Sequence, residues 1–264
     1  MSLAYAASQS GEHGTEPNVG DVILHHVLDT KILNIKILGL DLSITKHVLM
    51  MWITAALVVF VFRYAFREQR TIPSGVANLL EAIVVFLRDE VVLPNMGEEG
   101  RQYLPYLLTV FFFILFCNLL GLIPFAATAT GNVSVTAALA TMSLIMIQVG
   151  GIREHGLKHH IQNFIPHGLP VWLLPIMIPV EIMGQFTKPF ALCIRLFANM
   201  TAGHIVILSF LSMIFILKSL FVSPVSVFFA LFISLLELFV AFLQAYIFTM
   251  LTSLFIGMSI HPQH

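Results

Sequence analysis

The sequence predicts an all-α polytopic membrane protein with about five membrane helices and one amphipathic helix at the membrane interface. Of its 264 residues, 58% are hydrophobic and 10% are charged, whereas about 25% of the residues of a soluble domain are charged. The mean hydropathy is +0.92. Apolar segments long enough to cross a bilayer recur along the chain, and such segments are typical of membrane-spanning helices.

The composition also excludes several kinds of protein. Thirteen Lys and Arg residues balance fourteen Asp and Glu residues, so the chain lacks the basic footprint of a nucleic-acid-binding protein. Cys117 and Cys193 lie in separate apolar segments, which supports neither a disulfide framework nor a thiolate metal site. We therefore expect no metal, no cofactor and no nucleic acid. The expected partners are the lipid bilayer and other membrane chains.

The chain is expected to divide into an N-terminal segment and a membrane domain. Residues 1–46 are polar and mixed in charge, and we interpret them as extracytoplasmic. The membrane domain occupies residues 47–264, and its first span is predicted over residues 47–66. This span closes with a basic cluster: Arg63, Arg67 and Arg70. Because such clusters mark the cytoplasmic end of a span, the N-terminus is predicted outside.

Two further elements precede the last third of the chain. Over residues 73–93, apolar residues recur every three or four positions and charged residues take the other side, which predicts an amphipathic helix along the cytoplasmic surface. Residues 102–152 contain no Asp, Glu, Lys or Arg, and glycine and proline near the middle predict a two-helix hairpin. Arg153 and Lys158 follow it, which returns the chain to the cytoplasm.

The last third is predicted to form a hairpin of two long helices, over residues 170–220 and 224–260. A helix over the second range would extend about 55 Å at ~1.5 Å per residue, whereas the hydrocarbon layer is ~30 Å thick. Such a helix fits a bilayer only when it is steeply tilted, and packing against a large neighbour would enforce that tilt. The resulting topology places the C-terminus in the cytoplasm.

Ionisable side chains are rare in these two helices. Because a charge within the hydrocarbon costs a few kcal/mol or more, each of them is a functional candidate. At about 100° per residue, one face of the first long helix carries a polar stripe. The stripe consists of Glu181, Lys188, Arg195 and Asn199.

Antiparallel pairing relates the two helices to each other. The residue numbers of facing positions in a hairpin add up to a nearly constant value, so His204 is predicted at the depth of Glu237. The same rule places Asn199 at the depth of Gln244. Because His204 lies about 180° round the helix from Arg195, the rule leaves open whether His204 and Glu237 touch.

Arg195 is the most informative residue of the sequence. A guanidinium does not deprotonate in a protein, so Arg195 acts as a fixed cation and cannot relay protons. Glu181 lies about 21 Å away along the same helix, too far for a direct pair. Such a cation suits a carboxylate that arrives from another subunit and is held ionised by it. His204 and Glu237, in contrast, can take up and release protons near physiological pH when their pKa values are moderately shifted.

Each candidate also has a plain structural interpretation. The arginine could snorkel or pair inside a bundle, and the histidine and glutamate could form a structural hydrogen bond. The amides Asn199 and Gln244 could equally join helices. Glu181 and Lys188 could lie at the membrane interface. Three loop histidines are spaced like metal ligands but lack an acidic or thiol companion, so we interpret them as solvated. They are His155, His159 and His160.

Three motifs resemble subunit a of F-type ATP synthases. Residues 188–204 (KPFALCIRLFANMTAGH) resemble its signature helix, and residues 244–248 (QAYIF) resemble its last helix. Residues 118–124 (NLLGLIP) match within the hairpin. Together with the order of the segments, the resemblance covers most of the chain after about residue 45. It implies a proton-translocating stator subunit that is not an enzyme on its own.

The resemblance also implies roles for individual residues. Arg195 corresponds to the essential arginine opposite the ring carboxylate. Four residues are implied to line the proton path from the outer side: Asn199, His204, Glu237 and Gln244. Many bacterial members have Glu at the position of His204 and His at that of Glu237, an exchange that retains one acid and one imidazole. Three residues are of second rank: Asn118, which stands where some members have Asp, Glu181 and Lys188.

The resemblance implies a mechanism as well. Protons enter through an outer half-channel, load a carboxylate on a rotating ring of small proteolipid c subunits, and leave through a second half-channel bordered by Glu181 and Lys188. Arg195 keeps the two half-channels separate and so prevents a proton short-circuit. The implied partners are that ring and peripheral-stalk b subunits, and the implied location is a bacterial plasma membrane rather than an organellar membrane.

Two other functions fit the composition. An ion-coupled secondary transporter could use Arg195 to hold an anionic substrate, but the sequence contains no second copy of the Arg195 region, and such transporters usually consist of internal repeats. A haem-bearing electron-transfer subunit would need paired axial histidines deep in the membrane, where this sequence places His204 alone.

Overall fold

The computed structural model describes residues 31–33, 36–37, 40–41, 44–67, 75–123, 128–162, 174–217 and 222–261. Within these residues, five helices are long and apolar enough to cross a membrane. The predicted all-α polytopic class is therefore confirmed. Most of the predicted extracytoplasmic segment and the turn expected at Phe221 lie outside the described residues.

Short antiparallel strands precede the membrane domain. β1 (Lys31–Leu33) pairs with β4 (Ile44–Thr45), and β2 (Lys36–Ile37) pairs with β3 (Leu40–Asp41). Because the second pair lies between the two strands of the first pair in sequence, the ladders are nested. They bring the chain directly to the start of the first membrane helix.

The first membrane helix, α1 (Lys46–Ala65), lies at the edge of the bundle. The Thr45 side chain caps its N-terminus by accepting a hydrogen bond from a backbone amide three residues on. Its buried residues are His47 and Thr54. Most of the other α1 side chains face outward or are only partly covered, which suits contact with lipid.

The range predicted as one interfacial helix is divided into several helical pieces. α2 (Val76–Phe86) continues into a π-helical segment, Leu87–Val92, and then into α3 (Leu93–Met96). A 3-10 segment, Gly97–Gln102, follows. A 3.6-residue period predicts a helix here. It does not predict the π segment, in which hydrogen bonds join residues five apart instead of four.

The apolar side of these pieces packs against the other helices. Leu87 and Val91 are buried in the main core. Arg88 and Asp89 lie on the exposed side, where the guanidinium donates two hydrogen bonds to the carboxylate at 2.7 and 3.1 Å. This hydrogen bonding lowers the pKa of the Asp89 carboxyl group. These helical pieces are therefore amphipathic, as predicted, but other helices of the protein cover much of their apolar side.

The next two helices form the centre of the bundle. α4 (Leu104–Gly121) contributes more buried side chains than α1 does. A 3-10 segment, Ala129–Gly131, leads into α5 (Val133–Gln162). α5 is broken at Gly156, whose φ of +75° is readily adopted only by glycine. The helical part before this break is long enough to cross a membrane.

The last two helices are the longest. α6 (Leu174–Leu217) has 44 residues and α7 (Val222–Ile260) has 39, which correspond to about 66 and 58 Å at ~1.5 Å per residue. Pro179 and Pro189 lie inside α6 without ending it. Both helices exceed the ~30 Å thickness of the hydrocarbon layer, as the sequence predicts.

Candidate functional site

Glu237 on α7 is a buried carboxylate, 4% exposed, and it contacts His204 on α6. The Oε1 atom of Glu237 lies 2.8 Å from Nδ1 of His204. The predicted equal depth of these residues is therefore confirmed, and the two side chains touch. The Oε2 atom of Glu237 has no hydrogen-bond partner among the described residues. Burial of a carboxylate oxygen without such a partner is energetically costly.

Gly203 allows α6 and α7 to approach closely at this pair. A Cβ atom at position 203 would lie 2.7 Å from Oε1 and 2.9 Å from Cδ of Glu237. Both distances are shorter than ordinary van der Waals contacts between these atom types. The hydrogen bond between His204 and Glu237 therefore depends on a residue without a side chain next to it.

Asn199 and Gln244 form the second predicted pair. The Nδ2 atom of Asn199 donates a hydrogen bond to Oε1 of Gln244 at 2.8 Å, which confirms the predicted register. Gln244 is buried, whereas Asn199 is exposed on the surface of the bundle. The pair thus connects the interior of the hairpin with the outer face of α6.

Thr128 and His47 also belong to the His204 site, and no sequence motif identifies either of them. The Oγ1 atom of Thr128 lies 2.9 Å from Nε2 of His204. The Thr128 carbonyl accepts a hydrogen bond from Nδ1 of His47 at 3.0 Å. No spacing rule relates positions 47, 128 and 204. The one available signal was an imidazole at the start of an apolar span, where ionisable groups are rare.

Arg195 is exposed on the surface of α6. No hydrogen bond or ion pair joins it to another residue that the structure describes. It borders a cavity of about 570 Å³ between α6 and α7, and Lys188 borders the same cavity. The remaining lining is mainly apolar and includes Ala191, Leu251 and Phe255. Two cations therefore face one largely apolar space.

Lys188 and Asn118, two of the second-rank residues, contact residues other than His204 and Glu237. The Nζ atom of Lys188 lies 5.3 Å from the centre of the Phe255 ring, a cation–π contact across the cavity. Asn118 accepts a hydrogen bond from Thr130 at 2.8 Å and donates one to the Ala241 carbonyl at 3.4 Å. The first bond joins α4 to the 3-10 segment before α5, and the second joins α4 to α7. The side chain of Glu181 lies outside the described residues.

Within the described residues, no three His, Cys, Asp or Glu side chains form a group that could hold a metal ion. His155 lies within α5, and its Nε2 atom hydrogen-bonds to the Ile260 carbonyl at the end of α7 at 2.8 Å. The interpretation of His155 as a solvated loop residue is therefore wrong. The side chains of His159 and His160 lie outside the described residues.

The chain is similar to known proteins over most of its length. A sequence model of the ATP synthase A chain family matches residues 48–257. The chain is 49% identical over 275 residues to ATP synthase subunit a of Chlorobium phaeobacteroides, covering 97% of this chain and 80% of that one. It is 50% identical over 281 residues to the Pelodictyon phaeoclathratiforme protein of the same name, covering 99% and 82%. The Myxococcus xanthus protein of that name is 55% identical over 229 residues, covering 85% and 75%.

Proposed function

Because the chain belongs to the ATP synthase A chain family, and is therefore a membrane-sector subunit of an ATP synthase, we propose that it is the stator that exchanges protons with a rotating ring of small proteolipid c subunits. Two half-channels, each open to one side of the membrane, end at this ring. One observation carries the proposal: Arg195 is an exposed cation on a membrane-spanning helix, without an acidic partner among the described residues.

The charge of Arg195 determines what it can do at this position. An exposed guanidinium within the hydrocarbon is costly unless another molecule supplies a carboxylate. A ring carboxylate opposite Arg195 is held ionised and releases its proton. The same positive charge repels a proton that would pass directly between the half-channels. Protons therefore cross only when the ring turns, and each charge that falls through ~100 mV releases about 2.3 kcal/mol.

The outer half-channel passes the side chains that bridge α6 and α7. His204 and Glu237 are in hydrogen-bond contact and both can exchange protons, so they form the proton-carrying part. Asn199 and Gln244 extend the polar surface from the buried side of the hairpin to the exposed face of α6. Asn118 supports α7 through its bond to the Ala241 carbonyl and has a secondary role.

The cavity beside Arg195 is our candidate for the inner half-channel. It is bordered by Lys188 and lies on the cytoplasmic side in the predicted topology. Lys188 repels protons that have left the ring, and so favours their release to the cytoplasm. Glu181 belongs to the same helix, about two turns from Lys188 and nearer the cytoplasm, and is proposed to border the outlet.

The arrangement in the cell follows from charge and from the family. The chain lies in a membrane, and we propose that this is a bacterial plasma membrane, with the N-terminus outside and the C-terminus in the cytoplasm. Arg63 and Arg67 at the end of α1 and Arg153 in α5 fit this orientation. Peripheral-stalk b subunits hold the chain against the torque of the ring. The subunit catalyses no chemical step itself.

Replacement of Arg195 tests the proposal directly. The Arg195→Ala variant should assemble but lose both ATP synthesis and ATP-driven proton pumping, because no fixed cation then discharges the ring carboxylate. Pumping is measured with a pH-sensitive dye in inverted membrane vesicles, together with ATP hydrolysis. Pumping at more than a tenth of the parent rate would overturn the proposal.

Arg153→Ala is the matched control, because it removes an exposed cation that lies beyond the apolar part of α5. It should retain coupled pumping. Equal losses in both variants would indicate a general effect of lost charge, and would count against a special role for Arg195.

A further inference from the structure

We propose that the Thr128 hydroxyl is the relay group on the outer side of His204, and that His47 is a positioning residue that holds Thr128 in place. The inference rests on the proposed proton path through His204 and Glu237. It adds two residues that neither the sequence motifs nor the pairing of α6 with α7 identifies.

The geometry places the Thr128 hydroxyl in line with the His204–Glu237 pair. His204 contacts Glu237 through Nδ1 at 2.8 Å and Thr128 through Nε2 at 2.9 Å. The imidazole therefore bridges a carboxylate and a hydroxyl through its two nitrogen atoms. Thr128 precedes α5, at the same end of the bundle as the N-terminus of α1, which the predicted topology places outside.

A hydroxyl can pass a proton because it donates one hydrogen bond while accepting another. A hydronium ion on the outer side gives a proton to Oγ1 of Thr128 and becomes water, and the hydroxyl's own proton moves to Nε2 of His204. The imidazolium then gives its Nδ1 proton to Oε1 of Glu237. One proton has moved from the hydronium ion to the carboxylate, and the neutral imidazole now carries its proton on Nε2. It returns to the Nδ1–H form by releasing that proton to water and taking up another from water at Nδ1.

His47 cannot take part in this transfer through its observed bond. Its Nδ1 atom donates to the backbone carbonyl of Thr128 at 3.0 Å, and a carbonyl oxygen has no proton to pass on. The bond instead ties the segment before α5 to α1. His47 and Thr128 are both largely buried, so the bond lies within the bundle.

Gly121 provides the space that Thr128 occupies. A Cβ atom at position 121 would collide with Oγ1 and Cγ2 of Thr128. Gly121 is the last residue of α4, so the Thr128 side chain lies against the end of that helix. The threonine is thus held by α1 through its carbonyl and by α4 through its side chain.

Two substitutions of Thr128 separate a relay from a packing role. Thr128→Val keeps the shape of threonine and removes the hydroxyl, whereas Thr128→Ser keeps the hydroxyl and removes a methyl group. We expect passive proton flux, per assembled complex in vesicles stripped of the soluble head, to fall about tenfold in the valine variant and by less than half in the serine variant. The reverse order would show a packing role and overturn the proposal.

Two further measurements keep the test decisive. The residual flux of Thr128→Val should slow more in D₂O than the parent flux does, because the proton step has become limiting. His47→Leu should lower flux three- to tenfold, and His47→Asn, which retains an N–H donor, should restore most of it. An unchanged isotope effect, or equal flux in the two His47 variants, would contradict the relay and the positioning role respectively.

The control variant is Thr141→Val. Thr141 is exposed, and its hydroxyl donates to a carbonyl of its own helix, so its loss should leave flux unchanged. Arg195→Ala is measured in parallel. If that variant loses coupling while Thr128→Val keeps full flux, the relay is wrong and the proposed function stands. If the Arg195 variant stays coupled, the proposed function fails whatever Thr128 does.

Discussion

At position 203, the carboxylate of Glu237 leaves no room for a side chain. A Cβ atom there would lie 2.7 Å from Oε1, so an alanine must push Glu237 away from His204 or force α6 and α7 apart. We predict that Gly203→Ala lowers proton flux from the outside at least tenfold, because the hydrogen bond between Glu237 and His204 is lost. Passive flux through head-stripped vesicles, normalised to assembled complex, measures this effect.

Gly131→Ala is the control for Gly203→Ala. The atom nearest to its added Cβ is Cβ of Thr128 at 3.7 Å, an ordinary contact. This variant should conduct like the parent. Full flux in Gly203→Ala, with assembly unchanged, would show that proton uptake does not require the observed contact.

The scarcity of charge makes some single residues predictable from sequence. Arg195, His204 and Glu237 stand out because ionisable groups are rare within apolar helices. Thr128 does not stand out, because hydroxyl residues are common in membrane helices and usually bond their own backbone. Thr141 is such a case, and only the tertiary fold distinguishes it from Thr128.

Between α6 and α7, the contacts follow one another in antiparallel order. From the C-terminal part of α6 towards its N-terminal part, the contacts are Phe210 with Phe229, His204 with Glu237, Asn199 with Gln244, and Lys188 with Phe255. This register was predictable, because a helical period and the position of one turn fix which residues face each other. The π-helical segment after α2 was not predictable. Its hydrogen bonds join residues five apart instead of four, and the hydrophobic pattern does not show this change.

The contact between α7 and α3 also depends on a glycine. A Cβ atom at position 257 would collide with the carbonyl oxygen of Asn95. Ser253, one turn earlier, donates a hydrogen bond to the Val91 carbonyl at 3.1 Å. We predict that Gly257→Ala destabilises this packing by about 1–3 kcal/mol, the usual cost of overpacking a core. A lower thermal midpoint of the purified complex, followed by the loss of this subunit from it, measures the change.

Gly184→Ala is the matched control for this element. Among the described residues, no atom outside its own helix turn lies within 4 Å of its added Cβ, and it belongs to a helix of similar length. Its thermal midpoint should equal that of the parent. If Gly257→Ala were equally stable, the backbone of α3 would have to yield without cost, and the proposed role of the glycine would be wrong.

The subunit as a whole exposes apolar side chains on the same two helices that carry the polar site. Phe190 and Ile194 on α6 and Leu231 and Phe239 on α7 are all exposed. Helices of this length exceed the bilayer thickness and fit it only when tilted. A curved neighbour that follows the tilt explains both the length and the exposed surface. Sequence alone predicted the length, but not which side chains remain uncovered.

This surface predicts where the proposed ring of c subunits lies. Cys117 and Cys193 are free but buried, so a photoreactive maleimide should label a new surface cysteine selectively. Ile194→Cys on α6 lies one residue from Arg195, and Ile145→Cys on α5 is the control; the two isoleucines are 43% and 54% exposed. Irradiation of the assembled complex should join a small proteolipid to position 194 and not to position 145, because the ring carboxylate must pass Arg195. Equal capture at both positions, or capture of lipid alone at 194, would place the ring elsewhere and leave the charge of Arg195 without its proposed partner.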